Sequence, residues 1–181
     1  MDLIERIPNE EGSSPASLDA VELAEKELGF RLPADLKEIY LNIANGGIGP
    51  GYKILGVKGG HTSDEGDSIS ELYSILGGSD PEDPEWKWPK GLVPFCYWGC
   101  AIYSCFDATK EAYPVVWFDP SMREIGEPME QQFIPHKKTL TEWLEGWLNG
   151  DDLWAETYGS YKNSNETRGL VNVTVMCKEK T

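Results

Sequence analysis

Apolar positions recur at helical spacing twice in the first quarter of the chain. The first stripe predicts a helix over 18–28 that follows Ser17, a helix-capping residue, and ends at Gly29, a residue type that favours left-handed backbone. The second predicts a helix with Pro33 in its first turn and Asn45-Gly46-Gly47 at its end. Two adjoining amphipathic helices predict a helical hairpin that packs on a further layer. The residues expected to face inward are Leu18, Val21, Ala24, Leu28, Leu32, Leu36, Ile39, Tyr40 and Ile43.

The next stretch changes between strand-like and helical patterns. Residues 52–57 are a short strand candidate, and residues 68–78 predict a third helix capped by Asp67. The glycine-rich run 46–51 follows a helix and precedes a strand, the reverse of the dinucleotide-binding order, so it predicts a helix end and a turn. The inward side of the third helix is expected to be Ile69, Leu72, Ile75 and Leu76.

Three apolar segments rich in aromatic residues then follow at 92–100, 101–108 and 113–119, separated by turn residues. Their short connections predict neighbouring antiparallel strands, with a bend or bulge at Trp98-Gly99. A closing helix is predicted from Thr139, its N-cap, to Gly150, with Glu142 in the capping-box position. Its apolar side is expected to be Leu140, Trp143, Leu144 and Trp147.

Polar sequence at the two ends sets the predicted boundaries. Residues 1–16 are predicted as a polar lead-in and residues 17–154 as a single domain. Residues 155–181 form a C-terminal extension, polar and loop-like at 158–169, with a candidate edge strand at 170–177. His136, just before the closing helix, is expected in a loop.

The charge balance narrows the class of partner. The formal net charge is −15, from 16 basic and 31 acidic residues among 181. An acidic surface repels nucleic acid and anionic lipid and favours association with a basic protein, so we expect no nucleic-acid or membrane partner. Acidity that serves only solubility is the alternative. The oligomeric state stays open.

Other classes are disfavoured by what the sequence lacks. Four cysteines without a CxxC pair, and only two histidines, argue against a metal site, and we expect no metal and no cofactor. The N-terminal residues lack the basic and apolar regions of a signal peptide, and no apolar run is long enough to span a bilayer. We therefore expect a reduced, cytoplasmic protein.

The order of these motifs resembles a known family. The matching residues are Glu27-Leu28-Gly29, Leu32-Pro33, Leu36, Tyr40 and Asn45-Gly46-Gly47, followed by the PFCYWGC and FDATKEAYPVVWFDP hairpin and the TLTEWLEGWLNG helix. Together they resemble the SUKH superfamily, which includes the fungal Smi/Knr cell-wall regulators and many bacterial toxin-immunity proteins. The resemblance extends over about residues 17–150 and leaves out the acidic loop 78–90 and the tail after 155.

The resemblance carries expectations about fold and function. It implies an α+β fold class: a bent, mostly antiparallel sheet flanked by helices, in a SUKH-like single domain. It also implies protein binding without catalysis, because bacterial members commonly neutralise a cognate toxin, often a nuclease.

The most charged stretch, residues 61–86, contains eight carboxylates and no Lys or Arg. Tryptophan anchors rimmed by carboxylates suit a tight interface with a basic protein. Two alternatives stay open: a solvated acidic loop whose tryptophans fold onto the core, and a calcium site, although the run lacks the Gly and the terminal Glu of an EF-hand loop. The candidate partner-binding residues are Asp64, Glu65, Asp67, Asp80, Glu82, Asp83, Glu85, Trp86 and Trp88.

The sequence supports a catalytic site less well than a partner-binding surface. No G-x-S-x-G elbow occurs, and nothing in the sequence brings His136 near a cysteine, so no catalytic residue is expected. Asp107 and Asp119 end apolar strands and are expected to form turns rather than a carboxylate pair. The aromatic residues of the strands are expected to lie in the core with their polar atoms hydrogen-bonded. A cage that binds a ligand is the alternative. These residues are Tyr97, Trp98, Tyr103 and Trp117.

Two hypotheses of function follow. The first is a cytoplasmic immunity protein that masks a cognate nuclease-type toxin by steric block and charge complementarity. The second is an intracellular regulatory or scaffold protein of the Smi/Knr cell-wall regulator type. An enzyme would instead require a deep pocket with convergent polar groups.

Overall fold

The computed structural model describes residues 3–8 and 14–166, which form helices on both sides of one sheet. The strands are β1 (Leu92–Gly99), β2 (Ile102–Asp107), β3 (Val115–Phe118) and β4 (Phe133–Lys137). The helices are α1 (Leu18–Leu28), α2 (Ala34–Asn42), α3 (Ile69–Leu76), α4 (Leu140–Asn149) and α5 (Leu153–Glu166), with short 3-10 turns at Ile4–Arg6, Pro120–Met122 and Met129–Gln132. The α+β fold class predicted from the sequence is confirmed.

The helical hairpin is capped as predicted. Ser17 accepts a hydrogen bond from the Ala20 N–H at 3.2 Å, and Gly29 ends α1 with φ 73°. Leu18 is expected to face inward but is 52% exposed. Leu18 is the first residue of α1. Helical spacing predicts the side of the helix on which it lies, but it cannot predict whether another element covers that side at the first turn.

A buried carboxylate holds α1 and α2 together. Glu25 accepts a hydrogen bond from the Leu32 N–H at 3.0 Å and further bonds from Arg31 and Lys37. Burial alone would raise the pKa of Glu25, but these donors favour the charged form and lower its pKa below the usual range. The link between the helices is therefore fixed by a side chain outside the apolar stripe.

The Asn45-Gly46-Gly47 motif joins α2 to the segment before the sheet. The Asn45 side chain accepts a hydrogen bond from the Val57 N–H at 2.8 Å and donates to the Val57 carbonyl at 3.3 Å. A Cβ at position 60 would lie 2.2 Å from the Asn45 carbonyl oxygen, so this packing requires Gly60. Gly46 and Gly47 have φ of 72° and 78°, which confirms the predicted turn.

Residues 52–57 do not form the predicted strand. Ile54 makes an isolated antiparallel bridge to Cys96, and the Leu55 N–H donates to the Phe95 carbonyl at 2.8 Å. Lys53 has φ 84°, which breaks the extended conformation and confines pairing to this short contact.

Helix α3 departs from the prediction at both ends. Its N-cap is Ser68 rather than Asp67, and Ser68 forms a capping box with Glu71. Ile75 is expected to face inward but is 59% exposed. At 3.6 residues per turn, Ile75 lies about 60° around the helix from Leu72 and about 120° from Ile69, outside the buried stripe that these two residues define.

Helix α4 confirms its predicted caps. The Thr139 hydroxyl accepts a hydrogen bond from the Glu142 N–H at 2.9 Å, and Gly150 ends the helix with φ 80°. The N-terminal turn contacts this end of the domain, because Arg6 donates to Asn149 Oδ1 at 2.7 Å.

The sheet has the order β1-β2-β3-β4, and every neighbouring pair is antiparallel. Strands β1 to β3 confirm the three predicted strands, and the register shift between Tyr97 and Gly99 confirms the predicted irregularity. The prediction of a loop around His136 is wrong, because the residues there form β4. Pro135 is tolerated there because β4 is an edge strand, where a residue without an N–H need not lose a ladder bond.

One face of the sheet carries an aromatic row, which we define as Tyr97, Tyr103, Phe118 and Phe133. Each strand contributes one ring, and each ring lies directly opposite the next in the strand register. Successive ring centroids are 5.4, 6.3 and 5.4 Å apart. Because side chains alternate along a strand, Trp117 points to the other face.

Helix α5 covers that second face, and over 158–166 it replaces part of the loop expected at 158–169, whose last three residues lie outside the described ones. Trp154 and Tyr158, one helical turn apart, pack on Trp117 with ring centroids at 5.3 and 5.8 Å. Packing of this aromatic side outweighs the polar composition of the segment. Trp117 Nε1 donates to the Tyr158 hydroxyl at 3.3 Å and Trp98 Nε1 to Ser104 Oγ at 2.9 Å, as expected for core aromatics. The predicted strand 170–177 lies outside the described residues.

Candidate partner-binding surface

The acidic stretch singled out in the sequence lies along the aromatic row. We call residues 61–67 the front segment and residues 80–88 the rear segment; α3 lies between them. The front segment reaches the Tyr97 end of the row through Asp64, 2.7 Å from the Tyr97 hydroxyl. The rear segment covers the other end, where the Trp88 ring centroid is 4.9 Å from Phe118 and 5.5 Å from Phe133.

The front segment presents its carboxylates to solvent. The Asp67 N–H donates to Ser63 Oγ at 3.1 Å, and the Ser63 hydroxyl donates to Asp67 Oδ2 at 3.2 Å, which closes a tight turn. Asp64 and Glu65 are exposed in this turn, and Asp67 is half-buried. Within residues 3–8 and 14–166, none of these three carboxylates forms an ion pair with a basic side chain.

These carboxylates act on the tyrosines beneath them. Burial, together with the nearby charges of Asp67, Asp64 and Glu65, raises the pKa of Tyr103 to about 12. Burial first and Asp64 second also raise the pKa of Tyr97. Burial is the largest cause of both shifts, and the carboxylates add negative charge, which attracts cations to this end of the row.

A buried ion pair turns the rear segment inward. Asp83 is 5% exposed and pairs with Arg123, whose side chain is 2% exposed. Hydrogen bonding to Arg123 lowers the pKa of Asp83. Arg123 also donates to Gln132 Oε1 at 2.9 Å and to the Glu127 carbonyl at 3.0 Å. The pair therefore ties the rear segment to the connection between β3 and β4.

The two tryptophans of the rear segment hydrogen-bond inward as well. Trp86 Nε1 donates to the Leu76 carbonyl at 2.9 Å, and Trp88 Nε1 donates to the Leu92 carbonyl at 2.7 Å. Trp88 is 8% exposed, whereas Trp86 is half-buried. The Trp88 ring thus folds onto the core, one of the alternatives that the sequence left open. Asp80, Glu82 and Glu85 stay exposed around it.

Two residues of this region have no signal in the local sequence. Arg123 lies 40 positions from Asp83 along the chain, and no spacing rule connects them. Tyr52, in the segment expected to be a strand, is 58% exposed, and its ring centroid lies 5.4 Å from Tyr97. Strand pairing and loop packing bring these residues to the acidic stretch.

The two strand-end aspartates form turns, as predicted. Asp107 Oδ1 accepts a hydrogen bond from the Thr109 N–H at 3.0 Å, and Asp119 Oδ1 accepts one from the Ser121 N–H at 2.9 Å. Their carboxylates are therefore engaged with the backbone of the residues that follow them.

The cysteine and histidine side chains do not form a catalytic pair among the described residues. Cys96 and Cys105 are buried, and burial raises the pKa of both thiols, which disfavours the nucleophilic thiolate. The His136 ring packs on Trp117 with a centroid distance of 5.9 Å, and burial lowers its pKa to about 4. Among the described residues, no hydrogen bond joins a histidine to a cysteine.

An open groove of about 240 Å³ lies next to the rear segment. Leu92, Val116 and Phe133 contribute to its mainly apolar lining, and Lys90 and Glu130 lie at its rim. Such a lining favours apolar contacts.

Two further kinds of site are absent from the part of the chain that the structure describes. No group of three or more His, Cys, Asp or Glu side chains there is arranged to hold a metal ion. No helix in that part is both long enough and apolar enough to cross a bilayer.

Comparison with known proteins identifies a family. The model of the SMI1 / KNR4 family (SUKH-1) matches residues 15–146, well over half of the chain. The match includes the front and rear segments and the aromatic row, and it ends within α4, so α5 lies outside it. No curated protein and no solved structure shows a significant match.

Proposed function

The chain belongs to the SMI1/KNR4 family (SUKH-1), and from that premise we propose that it is a non-catalytic, cytoplasmic immunity protein that masks a cognate nuclease-type toxin. The observation that carries the proposal is the exposed carboxylates of the front and rear segments, in a stretch without Lys or Arg over 61–86. A nuclease presents a basic groove to phosphates. An inhibitor that occupies such a groove is expected to be acidic.

The proposed contact surface comprises those candidate partner-binding residues that are accessible to solvent. The buried candidates hold the surface in place. Asp83 and Trp88 are buried, so we assign them the role of holding the rear segment on the sheet. A loop already held in place loses little conformational entropy on binding. The proposed contact residues are Asp64, Glu65, Asp67, Asp80, Glu82, Glu85 and Trp86.

Where the neighbouring genes encode a toxin domain, that domain is the probe for the test. Equimolar protein is expected to abolish the nuclease activity of that domain. The association rate is expected to fall steeply as salt rises from roughly 0.02 to 0.5 M, because screening shortens the reach of surface charges. An association rate that is indifferent to salt would reject electrostatic steering.

A regulatory or scaffold protein of the Smi/Knr type is the second candidate, and the matched family model favours it equally. It would bind an endogenous partner through the same acidic surface. The nuclease assay separates the two: no protection against any neighbouring toxin, together with capture of a host protein, favours the regulator.

A further inference from the structure

Tyr52 is exposed, unlike the other aromatic side chains that the structure describes. It is 58% exposed, and its ring lies on Tyr97, with centroids 5.4 Å apart and planes inclined by 45°. Tyr97 lies in turn on Tyr103 at 5.4 Å. Tyr97 and Tyr103 are buried members of the aromatic row. Tyr52 adds a solvent-accessible ring next to Tyr97.

The surrounding backbone holds Tyr52 in position. The Tyr52 N–H donates to the Tyr97 carbonyl at 2.9 Å, and the Tyr52 carbonyl accepts a hydrogen bond from His61 Nε2 at 2.9 Å. A Cβ at position 99 would lie 2.9 Å from the Tyr52 ring, so Gly99 makes room for it. A ring that is placed before binding loses little entropy on contact with a partner.

Carboxylates of the front segment lie at Tyr97, the ring on which Tyr52 packs. Asp64 accepts the hydrogen bond of the Tyr97 hydroxyl, and Glu65 is exposed in the same turn. The front segment therefore adds negative charge at the ring that supports the accessible aromatic face of Tyr52. A cation fits both features, since the face of an aromatic ring attracts positive charge and carboxylates accept its N–H groups.

We infer that Tyr52, with Asp64 and Glu65, binds an arginine side chain of the partner. The inference rests on the proposed function for the basic character of that partner, and it adds the anchoring residue and the kind of cation. Arginine fits better than lysine because its planar guanidinium stacks on an aromatic ring while its edge donates to carboxylates. Lysine offers a compact, strongly hydrated charge with no plane to stack.

The test compares two labelled peptides of equal charge, nona-arginine and nona-lysine, by fluorescence anisotropy at low salt. The unsubstituted protein is expected to bind nona-arginine about two- to fivefold more tightly, the range for an exposed cation–π contact. Tyr52→Ala is expected to bring this ratio close to one. Ile125→Ala removes another exposed apolar side chain, 73% exposed, and is expected to keep the original ratio.

The outcomes separate this inference from the proposed function. If Tyr52→Ala keeps the arginine preference, or if the unsubstituted protein binds both peptides equally, the inference is overturned while an acidic binding surface stands. If neither peptide binds at low salt, the electrostatic basis of the proposed function fails and the inference fails with it. Circular dichroism verifies that each variant is folded.

Discussion

The front segment (61–67) and the rear segment (80–88) both carry carboxylates beside aromatic rings, and both lie against the aromatic row. Asp64 and Glu65 of the front segment stay exposed without an ion pair among the described residues. In the rear segment, Asp83 is buried against Arg123, and Trp88 is buried against the far end of the row. Both segments are rich in Asp and Glu, so the different burial of their carboxylates arises from what lies opposite each segment, Arg123 facing Asp83 in the rear one.

This comparison assigns the two segments different roles. A carboxylate paired in the interior stabilises a particular loop conformation, whereas an exposed carboxylate without a partner adds little stability and remains available for binding. We therefore expect substitutions in the rear segment to act mainly on folding, and substitutions in the front segment to act mainly on association.

The largest expected effect comes from truncating the buried ring of the rear segment. Trp88→Ala is expected to lower the free energy of unfolding by about 3–5 kcal/mol, the usual cost of removing a large buried aromatic side chain. Tyr52→Ala, the matched control at an exposed ring, is expected to change it by about 1 kcal/mol, because it removes one partly exposed aromatic contact with Tyr97. Urea denaturation followed by circular dichroism measures both. Similar losses in the two variants would contradict the assigned roles.

A smaller loss of stability is expected from Asp83→Asn, and it depends on pH. Because the pKa of Asp83 is lowered in the folded protein, its pairing contributes fully above the unfolded pKa of about 3.8 and is lost as pH falls through the lower folded value. The urea midpoint of the variant should thus lie below that of the unsubstituted protein at pH 7, and the two should converge in acid. Asp64→Asn serves as control, with little change expected at neutral pH. A difference that persists undiminished in strong acid would argue against an ionic role for Asp83.

Binding should respond most to the front segment. Asp64→Asn with Glu65→Gln is expected to slow association with the neighbouring toxin domain by roughly three- to tenfold at low salt, because steering depends on local charge. Glu111→Gln with Glu145→Gln removes the same charge from other exposed positions and is expected to have less effect. Stopped-flow or surface-based kinetics provide the rates. Equal slowing by both pairs would mean that only the net charge matters.

The smallest expected effect is on the ionisation of a tyrosine. The folded pKa of Tyr103 is raised to about 12, so it contributes stability below the unfolded value of about 10, and that contribution is lost as pH rises through about 12. Asp64→Asn with Glu65→Gln is expected to lower this pKa by less than about one unit, since two of the nearby charges are removed. Ultraviolet absorbance titration follows the change, and Tyr103→Phe identifies the step. An unaltered step would mean that Asp64 and Glu65 do not contribute to the shift.

Local signals in the sequence determined the ends of α1 and α4 and the first three strands. Ser17, Gly29, Thr139 and Gly150 act through hydrogen bonds and backbone preferences within a few residues, so their roles could be predicted without the fold. The aromatic and apolar runs of β1 to β3 gave the antiparallel hairpins in the same way. The motifs that resemble the SUKH superfamily belong to this locally specified part, and the family match confirms them.

Only the tertiary structure decided which acidic and aromatic residues face solvent. Burial of Asp83 depends on Arg123, 40 residues away, and exposure of Tyr52 depends on how its segment lies against β1. Strand β4 and helix α5 likewise exist because they pack on the edge and second face of a sheet already specified elsewhere. The physical reason is that hydrogen-bonding and backbone preferences are properties of neighbouring residues, whereas burial is a property of the assembled fold.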